Sequence, residues 1–322
     1  MAKTVRMLSS HISHMPLHYT FSRSGIPEKY GFSLEVDIVN VEVPGRPYRG
    51  FKDRVPALLA GEYEFLSGLH HETYVCRARG EKRLVYLAQT QNRWDDRLVA
   101  SPKIKTVKEL EGKKVIVCSL RAPCVIGNLK HVLRLAGIDV ETVEFHEAHE
   151  VGGVNGRLAV EAVANGKFDA AHVDIPFDLQ AKKKGLNALD LPEVPVIHNT
   201  TICTTTTFAE NNKELTINFL KALIETIHFF KTKKEETVDI IYENLRDKLH
   251  LGGRDEAEHL QTEWAKLLTE KPYPHPLAVW NVYDLDVGHD PKVNFIGPFE
   301  VWDTHLLRMI DDSGFIDQLY AN

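Results

Sequence analysis

Three histidines near the start of the chain, His11, His14 and His18, stand at positions i, i+3 and i+7. A helix over this segment would place the three imidazoles on one face, where they could bind a single metal ion. Pro16 interrupts such a helix, and grouped histidines can equally form hydrogen bonds with a ligand carboxylate. The segment therefore predicts a polar site whose chemistry is either metal binding or proton transfer.

A second group of chemically active side chains is the run His70, His71 and Glu72. Histidine titrates near neutral pH, so an imidazole is a natural general acid or base, and an adjacent carboxylate would orient its ring. Glu72 could supply that carboxylate, and so could Asp95 or Asp96. From these two groups we predict four catalytic residues: His11, His14, His70 and Glu72.

The same histidines leave a metal-dependent alternative open. If the two groups meet at neighbouring strand ends, their imidazoles and a carboxylate would form a mixed site for Zn²⁺, Fe²⁺ or Mn²⁺. No cofactor is required by the sequence, and a divalent metal ion is one option. Its ligands would then be His11, His14, His70 and His71.

An anionic ligand needs a cationic clamp, and arginine binds carboxylates and sulfonates with two parallel hydrogen bonds. Arg93, Arg97 and Arg121 are the candidates, of which we favour Arg121. Serines and an aspartate follow predicted strands and should line the same crevice. The predicted substrate-binding residues are Ser9, Ser67, Arg93, Ser119, Arg121 and Asp174. Trp94 and Tyr63 could stack on a ring, but an aromatic beside a strand also fits the core.

Two further segments are ambiguous. His146 and His149 could reach the site from the second half of the chain, although a solvated loop explains them equally well. The run "GGVNGR" (Gly152 to Arg157) has glycines that could turn backbone N–H groups toward an anion at a helix start. It lacks the Lys-Ser/Thr ending of a phosphate-binding loop, so an ordinary loop that contacts the ligand's anion is the simpler interpretation.

A repeated phrase indicates how these residues are positioned. "LLAGEYEFLSG" and "AVANGKFDAAHVDIP" each contain a helix that stops at a glycine (Gly61, Gly166), followed by a strand that ends in polar residues. Open α/β sheets bind ligands beyond the carboxyl ends of their strands. Two such units in one chain predict two lobes that face each other across a crevice.

A chain of 322 residues suits two domains. We predict an α/β fold in which each lobe is a mixed sheet flanked by helices, with two hinge crossovers. Residues 1–97 form the first part of lobe one, residues 98–199 form lobe two, and residues 200–322 return to lobe one. The last part of the chain is expected to be an irregular extension followed by one amphipathic helix that stops at Gly314.

Composition excludes several classes of partner. A net charge of −6, with no basic stripe, argues against nucleic acid. No apolar run is long enough to predict membrane insertion. Four cysteines without metal-like CxxC spacing and no export signal predict a cytoplasmic protein, or a periplasmic one if an upstream signal was removed. A homodimer is compatible with the sequence but not specified by it.

These phrases, together with "IKTVKELEGKKVIVCS" and "NKELTINFLKALIETIHFF", resemble the type II periplasmic-binding-protein-like superfamily over residues 3–245. The resemblance is to the branch with sulfonate-, nitrate- and pyrimidine-precursor-binding proteins and the thiamine-pyrimidine synthase. The cysteine-rich motif of that synthase is absent here, so its reaction is not carried over. The superfamily also contains cytoplasmic enzymes, such as dihydroxyphthalate decarboxylase.

The resemblance and the histidines together predict a cytoplasmic enzyme on this scaffold. Its substrate would be small, carboxylated and either aromatic or cyclic. Histidine-mediated acid/base chemistry would make it a decarboxylase, hydrolase or dehydratase. The alternative is the solute-binding component of an importer for a sulfonate, nitrate-like or pyrimidine-like ligand. Both interpretations share one partner, a small anionic organic molecule.

Overall fold

The structure is a computed structural model that describes residues 3–42, 45, 47–152 and 156–321. Its ten strands are β1 (Lys3–Ser9), β2 (Phe32–Ile38), β3 (Phe65–Ser67), β4 (Leu84–Gln89), β5 (Arg97–Ala100), β6 (Lys114–Val117), β7 (Glu144–Glu147), β8 (Ala170–Val173), β9 (Asn187–Leu189) and β10 (Thr201–Thr205). Its α-helices are α1 (Met15–Arg23), α2 (Ile26–Lys29), α3 (Arg54–Leu59), α4 (Glu72–Ala78), α5 (Asn128–Leu135), α6 (Gly156–Ala164), α7 (Phe177–Lys183), α8 (Thr206–Asn211), α9 (Lys213–Thr232), α10 (Lys234–Leu245), α11 (Arg254–Leu267), α12 (Pro276–His289), α13 (His305–Asp312) and α14 (Phe315–Tyr320).

Two five-stranded mixed sheets form the two lobes. The sheet of lobe one has the order β2-β1-β3-β10-β4, with β10 antiparallel to both of its neighbours. The sheet of lobe two has the order β7-β6-β8-β5-β9, with β5 antiparallel to β8 and β9. Helices flank both sheets, which confirms the predicted two-lobed α/β fold of the periplasmic-binding-protein type.

The repeated phrase forms the same unit in each lobe. Helix α3 ends just before Gly61, which has a φ of +72°, and the chain then enters β3. Helix α6 ends before Gly166, with a φ of +73°, and the chain enters β8. Both glycines adopt the left-handed conformation that a helix stop of this kind requires. The strands β3 and β8 therefore open onto the space between the lobes.

The largest contribution to the lobe-one core comes from α9. Its apolar stripe is fully buried, and it comprises Phe219, Leu220, Leu223, Ile227 and Phe230. The spacing of these residues places them on one helical face, as the sequence predicts. Each such side chain stabilises the fold by about 1.5–3 kcal/mol relative to an exposed position.

Two connections carry the chain between the lobes and pair with each other. Residues 90–96 lead from β4 to β5, and residues 190–200 lead back from β9 to β10. The amide of Trp94 donates to the carbonyl of Val194 at 3.0 Å, and the amide of Val196 donates to the carbonyl of Asn92 at 3.1 Å. The two predicted crossovers therefore form one hydrogen-bonded hinge.

The C-terminal extension differs from the prediction. In place of an irregular segment, the described chain has the 14-residue helix α12, and both α13 and α14 follow it. Pro276 lies in the first turn of α12, where proline is tolerated because its missing N–H has no helical partner. The buried side chains of this helix recur at helical spacing, which the prolines and charges around them obscure in the sequence: Ala278, Val279, Val282, Tyr283 and Asp286.

Helix α12 contacts three parts of the molecule. It packs into the apolar cluster of lobe one with Leu69 and Tyr74. The side chain of Asn281 donates to the carbonyl of Pro195 in the hinge at 2.6 Å. Leu285 lies against Gly127 of lobe two, where an added Cβ would be 3.3 Å from Cδ2 of the leucine. In the described part of the chain, no helix has both the length and the apolarity to cross a membrane.

Candidate functional site

The carboxyl ends of the parallel strands of lobe one place several polar residues at the crevice. Ser9 ends β1 and Ser67 ends β3, and these strands are adjacent in the sheet. Gly68 follows with a φ of +88°, and a Cβ at this position would lie 2.6 Å from Cε1 of His14. Only glycine therefore allows the His14 ring to pack against this turn.

The segment that contains His11, His14 and His18 is not one regular helix. Residues 12–14 form a 3₁₀ turn, and α1 begins at Met15 with Pro16 in its first turn. The ring centroids lie 6.2 Å apart for His11 and His14, and 6.4 Å apart for His14 and His18, with edge-to-face arrangements. The rings are thus neighbours, but they do not converge on one point.

A second pair of histidines completes the cluster. His70 and His71 follow β3 and precede α4, with ring centroids 5.1 Å apart. The ring of His70 lies 5.9 Å from that of His198, which the second hinge connection supplies. The structure therefore brings together histidines from three separate segments of the chain.

Three of these imidazoles are held neutral. Burial lowers the pKa of His14, and the neighbouring His11, His18 and His198 lower it further. Burial alone lowers the pKa of His18 to about 3. Burial also lowers the pKa of His70, with a further contribution from the charge of His71. These three rings are therefore neutral at physiological pH.

His71 is held in the opposite protonation state. Its Nδ1 atom lies 2.6 Å from Oδ1 of Asp286, which α12 supplies. Burial acts to lower the pKa of His71, but the carboxylate outweighs it and raises the pKa to about 10. The residue is therefore an imidazolium at neutral pH, in direct contact with the neutral ring of His70.

The hinge carries a second charged group. Asp96 Oδ2 accepts a hydrogen bond from Nε2 of His172 at 2.8 Å, and Nε2 of His198 lies 3.4 Å from Asp96 Oδ1. Asn199 donates to both carboxylate oxygens of Asp95, at 2.9 and 3.1 Å. Burial acts to lower the pKa of His198, and the two aspartates raise it to about 9. The predicted carboxylate partners Asp95 and Asp96 thus pair with His198 and His172 of other segments.

Glu72, a predicted catalytic residue, forms an ion pair with Arg54 at the start of α4. The same guanidinium donates to Oγ of Ser10 at 2.7 Å and to the carbonyl of Phe51 at 3.0 Å. Burial lowers the pKa of Arg54 to about 10. Glu72 therefore neutralises a buried cation and does not orient the ring of His70 or His71.

Lobe two closes on these groups through two segments. Asp174, directly after β8, places Oδ2 3.9 Å from Nδ1 of His11. Cys124 lies in a π-helical turn, residues Pro123–Gly127, that precedes α5. The Sγ atom of Cys124 and one nitrogen each of His70 and His71 all lie within 4.8 Å of one another. A π-helical turn in a helix is frequently a functional feature, because it redirects a side chain.

The predicted arginines lie elsewhere. Arg93 is 39% exposed and binds Glu193 at 2.9 Å and the carbonyl of Lys266 at 2.7 Å. Arg97 contacts Glu263 at 3.1 Å. Arg121 is exposed, and only its backbone amide contacts Ser119, at 3.1 Å from Oγ. The buried arginine at the crevice is instead Arg54, one position before the apolar run "VPALL", where sequence reasoning placed no site residue.

Several buried polar atoms at the crevice have no hydrogen-bond partner among the described residues. They are Nδ1 of His14, Oγ of Ser67, Nδ1 of His70, Nε2 of His71 and Nδ1 of His198. Leaving such a group unpaired costs about 1–3 kcal/mol, so a concentration of them at one place indicates a site that is completed by a ligand. Ser9 is different, because its hydroxyl contacts the carbonyl of His11 at 3.3 Å.

The structure also bears on the predicted metal ligands. The groups of potential metal ligands that converge in the described chain are His70–His71–Cys124 and Asp95–Asp96–His198. His11 and His14 belong to neither group, and a metal ion held by His11, His14, His70 and His71 stays a prediction.

His146 and His149 pair with glutamates of their own segment; His149 is exposed, and His146 is half-buried against the ring of Phe168. Residues 153–155 of "GGVNGR" lie outside the described residues. Trp94 is buried and stacks on His172, with ring centroids 5.7 Å apart, and Tyr63 is buried and donates to Asp37 at 2.9 Å. Both aromatic residues are therefore parts of the packed structure.

A comparison with models of protein families identifies the family of this chain. The model of the family described as NMT1/THI5 like matches residues 39–237, which is more than half of the chain. No curated protein matches the sequence significantly.

Several solved structures share the fold along nearly the whole chain. The periplasmic sulfonate-binding protein SsuA from Methylobacillus flagellatus is 14% identical, with a TM-score of 0.68, and the match covers 98% of this chain and 96% of that one. SsuA from Xanthomonas axonopodis, bound to MOPS, is 13% identical, with a TM-score of 0.59 and coverage of 96% and 98%. The nitrate-binding protein NrtA from Synechocystis is 11% identical, with a TM-score of 0.65 and coverage of 97% and 89%. Identities at this level establish the common fold.

Proposed function

Because this chain belongs to the NMT1/THI5-like family, we propose that it is a receptor that captures one small anionic organic molecule between its two lobes. Its ligand would be a sulfonate, a nitrate-like ion or a pyrimidine-like compound, and its role would be that of the solute-binding component of an importer. This proposal replaces the enzyme as the leading interpretation, since the neighbours in fold are largely binding proteins.

One observation carries the proposal. The unpartnered polar atoms of His14, Ser67, His70 and His198 are buried, on segments of lobe one and the hinge that contact one another. The Ser67 hydroxyl and the neutral imidazoles of His14 and His70 can each donate one hydrogen bond to an oxyanion without adding charge, and His198 donates as a cation. Together they supply the kind of directional shell that fixes a small ligand in a binding site.

The charges around these donors favour an anion. Arg54, His71 and His198 are buried cations that converge from three segments, and each is already held by one or two carboxylates. An anion that binds between the lobes could accept charge-assisted hydrogen bonds from these cations.

The likeness to periplasmic proteins also bears on location. The sulfonate- and nitrate-binding structures are described as periplasmic, and a receptor of this type works outside the cytoplasm. We therefore favour a periplasmic location over the cytoplasmic one expected from the sequence. Localisation of the full-length native protein by cell fractionation tests this directly.

A ligand screen tests the binding function. Thermal shift assays with nitrate, alkanesulfonates, aromatic carboxylates and pyrimidine phosphates, each beside a neutral analogue, should identify anions that stabilise the protein. A ligand at a hundredfold its dissociation constant stabilises by about 2.7 kcal/mol. Calorimetry should give one site per chain for each hit. The proposal fails if only neutral analogues bind, or if none of these anions binds.

The bound molecule must also be recovered intact. A receptor releases its ligand unchanged, whereas an enzyme returns a product, and mass spectrometry of the ligand after overnight incubation separates the two. Replacement of the exposed His149 by alanine serves as the control, because this residue lies away from the crevice. The control variant should bind with wild-type affinity.

A catalytic role is the second candidate, and one observation favours it. The neutral ring of His70 and the cationic ring of His71 are 5.1 Å apart. Environments that separate the pKa values of two neighbouring groups are typical of a general base and a general acid. Loss of a proton donor should then abolish turnover, so His71→Gln would stop product formation while His149→Ala would not.

A further inference from the structure

The crevice contains a group of side chains that ligand capture alone does not require. His70 and His71 belong to the loop between β3 and α4 in lobe one, and Cys124 belongs to the π-helical turn of lobe two. One donor atom from each lies within 4.8 Å of the others. A thiol between two imidazoles is a strong ligand set for a transition metal.

We propose that His70, His71 and Cys124 form a binding site for Zn²⁺ that links the two lobes. Two imidazole nitrogens and one thiolate occupy three positions of a tetrahedral site, and the fourth stays open to water or to an anionic ligand. The donor set is borderline soft, which favours zinc over the oxygen-seeking ions Mg²⁺ and Ca²⁺. Any metal at this site would hold lobe one and lobe two together.

The orientation of His71 supports the site. Its Nδ1 atom is held by Asp286 at 2.6 Å, so the ring presents Nε2 toward the crevice. That Nε2 atom is buried and has no hydrogen-bond partner among the described residues. Metal-binding histidines characteristically donate their other ring N–H to a carboxylate in this way, which fixes the ring, and Zn²⁺ would bind Nε2 of His71 in exchange for the proton that this atom carries.

The other two donors are equally available. His70 is only 6% exposed, and its Nδ1 atom has no partner in the described chain. Cys124 is part-buried with a free thiol, and its Sγ atom lies within 4.8 Å of the donor atoms of His70 and His71. Cys118, six residues earlier, is not part of the converging group.

The second converging group, Asp95, Asp96 and His198, does not support a metal site equally well. Its carboxylates already accept hydrogen bonds from His172 and Asn199. The charges of this group are therefore largely compensated within the hinge. Zinc would have to break those hydrogen bonds. At the His70–His71–Cys124 group it would instead bind ring nitrogens that have no hydrogen-bond partner among the described residues.

The experiment uses the full chain, stripped of metal by a chelator under reducing conditions, with Co²⁺ as a spectroscopic probe. Binding to Cys124 should produce a thiolate-to-cobalt charge-transfer band in the near ultraviolet that saturates at one metal ion per chain. Added Zn²⁺ should displace the cobalt and abolish the band. A wild-type protein that shows no such band would overturn the proposal.

Variants distinguish this site from other thiols and from general loss of structure. Cys124→Ser should abolish the band while circular dichroism stays unchanged, and the matched control Cys118→Ser should keep it. A band that survives in Cys124→Ser, or that is lost in Cys118→Ser, places the metal elsewhere and contradicts the assignment.

Alkylation provides a readout that does not depend on cobalt. Zn²⁺ should protect Cys124 from iodoacetamide, measured by peptide mass spectrometry, while modification of Cys76 continues at its own rate. Rapid alkylation of Cys124 that zinc does not slow would indicate a reactive thiolate paired with His71, and would refute the metal site. Binding of the organic anion is measured separately, so either proposal can fail without the other.

Discussion

Nδ1 of His71 and Oδ1 of Asp286 lie 2.6 Å apart, although 215 positions separate the two residues in the chain. The aspartate belongs to α12, the helix that replaces the predicted irregular extension. A histidine beside the crevice therefore takes its charge from a helix at the far end of the sequence.

We expect Asp286→Asn to lower the pKa of His71 from about 10 toward or below the ordinary value, since burial then acts without the carboxylate. Removal of one partner of a buried ion pair should also destabilise the protein by about 3–5 kcal/mol. NMR titration of histidine-labelled protein measures the first effect, and urea unfolding at neutral pH measures the second. Asp303→Asn, at an exposed His305 pair, should change stability little.

The free energy that the His71–Asp286 ion pair contributes to folding should decrease as the pH rises. The folded pKa of His71 is raised above its unfolded value, so its stabilisation is complete below about pH 6.5 and is lost as the pH rises through about 10. The difference in unfolding free energy between wild type and Asp286→Asn should therefore shrink between these limits. A difference that grows over this range would contradict the assignment.

His18 should make the protein sensitive to acid. Its pKa is about 3 in the folded protein, so below about pH 6.5 the unfolded chain binds a proton that the folded chain excludes. From about pH 8 to about pH 5 this costs about 2 kcal/mol. His18→Leu should lose about 2 kcal/mol less than wild type over the same range, because neither ring nitrogen of His18 has a partner to lose.

Urea unfolding at the two pH values measures the effect, and the exposed His149 provides the matched variant. His149→Leu should show the wild-type loss of stability on acidification. Equal acid sensitivity in wild type and His18→Leu would show that this histidine is protonated in the folded state.

Ser67 and Ser10 should respond to alanine in opposite ways. The hydroxyl of Ser67 is buried without a partner, so Ser67→Ala should leave the stability of the free protein unchanged or slightly raised. Ser10 donates to the carbonyl of Ser67 at 2.8 Å and accepts from Arg54, so Ser10→Ala should destabilise by about 1–2 kcal/mol. Thermal unfolding without ligand measures both.

Ligand affinity supplies the second half of this test. Ser67→Ala should weaken binding of the anion by about tenfold, since one neutral hydrogen bond contributes about 1.4 kcal/mol at most in such a site. A variant that is destabilised and binds normally would place Ser67 in the framework of the protein and outside the binding surface.

Gly68 and Gly61 form a matched pair, because both have positive φ angles, +88° and +72°. Alanine at Gly61 would meet no atom within 4 Å and should cost only the backbone strain, about 1–2 kcal/mol. Alanine at Gly68 would lie 2.6 Å from His14 and 2.9 Å from Cβ of Ser10. We expect it to displace the ring and to weaken ligand binding by at least about tenfold, which calorimetry can measure; equal affinities in the two variants would be the contrary result.

Short-range patterns in the sequence were sufficient to predict the two-lobed fold. The glycines after α3 and α6, the strands that follow them and the buried stripe of α9 all depend on residues within one or two turns of each other. Such patterns predict both lobes and the two crossings between them. The length of α12 was missed, because prolines and aspartates interrupt the apolar pattern around it.

The candidate site was predicted only in part, for a physical reason. Ser67, His14 and His70 lie at strand ends, as expected, because strand ends are identifiable locally. Asp286 and Cys124 reach the same place by tertiary packing, which neither spacing nor composition reveals. Arg121, the arginine favoured from the sequence, is exposed, whereas the buried arginine at the crevice is Arg54, which pairs with Glu72. The sequence does not distinguish exposed from buried guanidinium groups, because burial depends on partners that are distant in the chain.

The position of α12 has a consequence for biosynthesis. As the ribosome extends the chain from its N-terminus, both sheets are complete before the codons for this helix are translated. The imidazole of His71 therefore lacks its acidic neighbour until the chain has been extended through Asp286, and its charge is set only when α12 packs against lobe one.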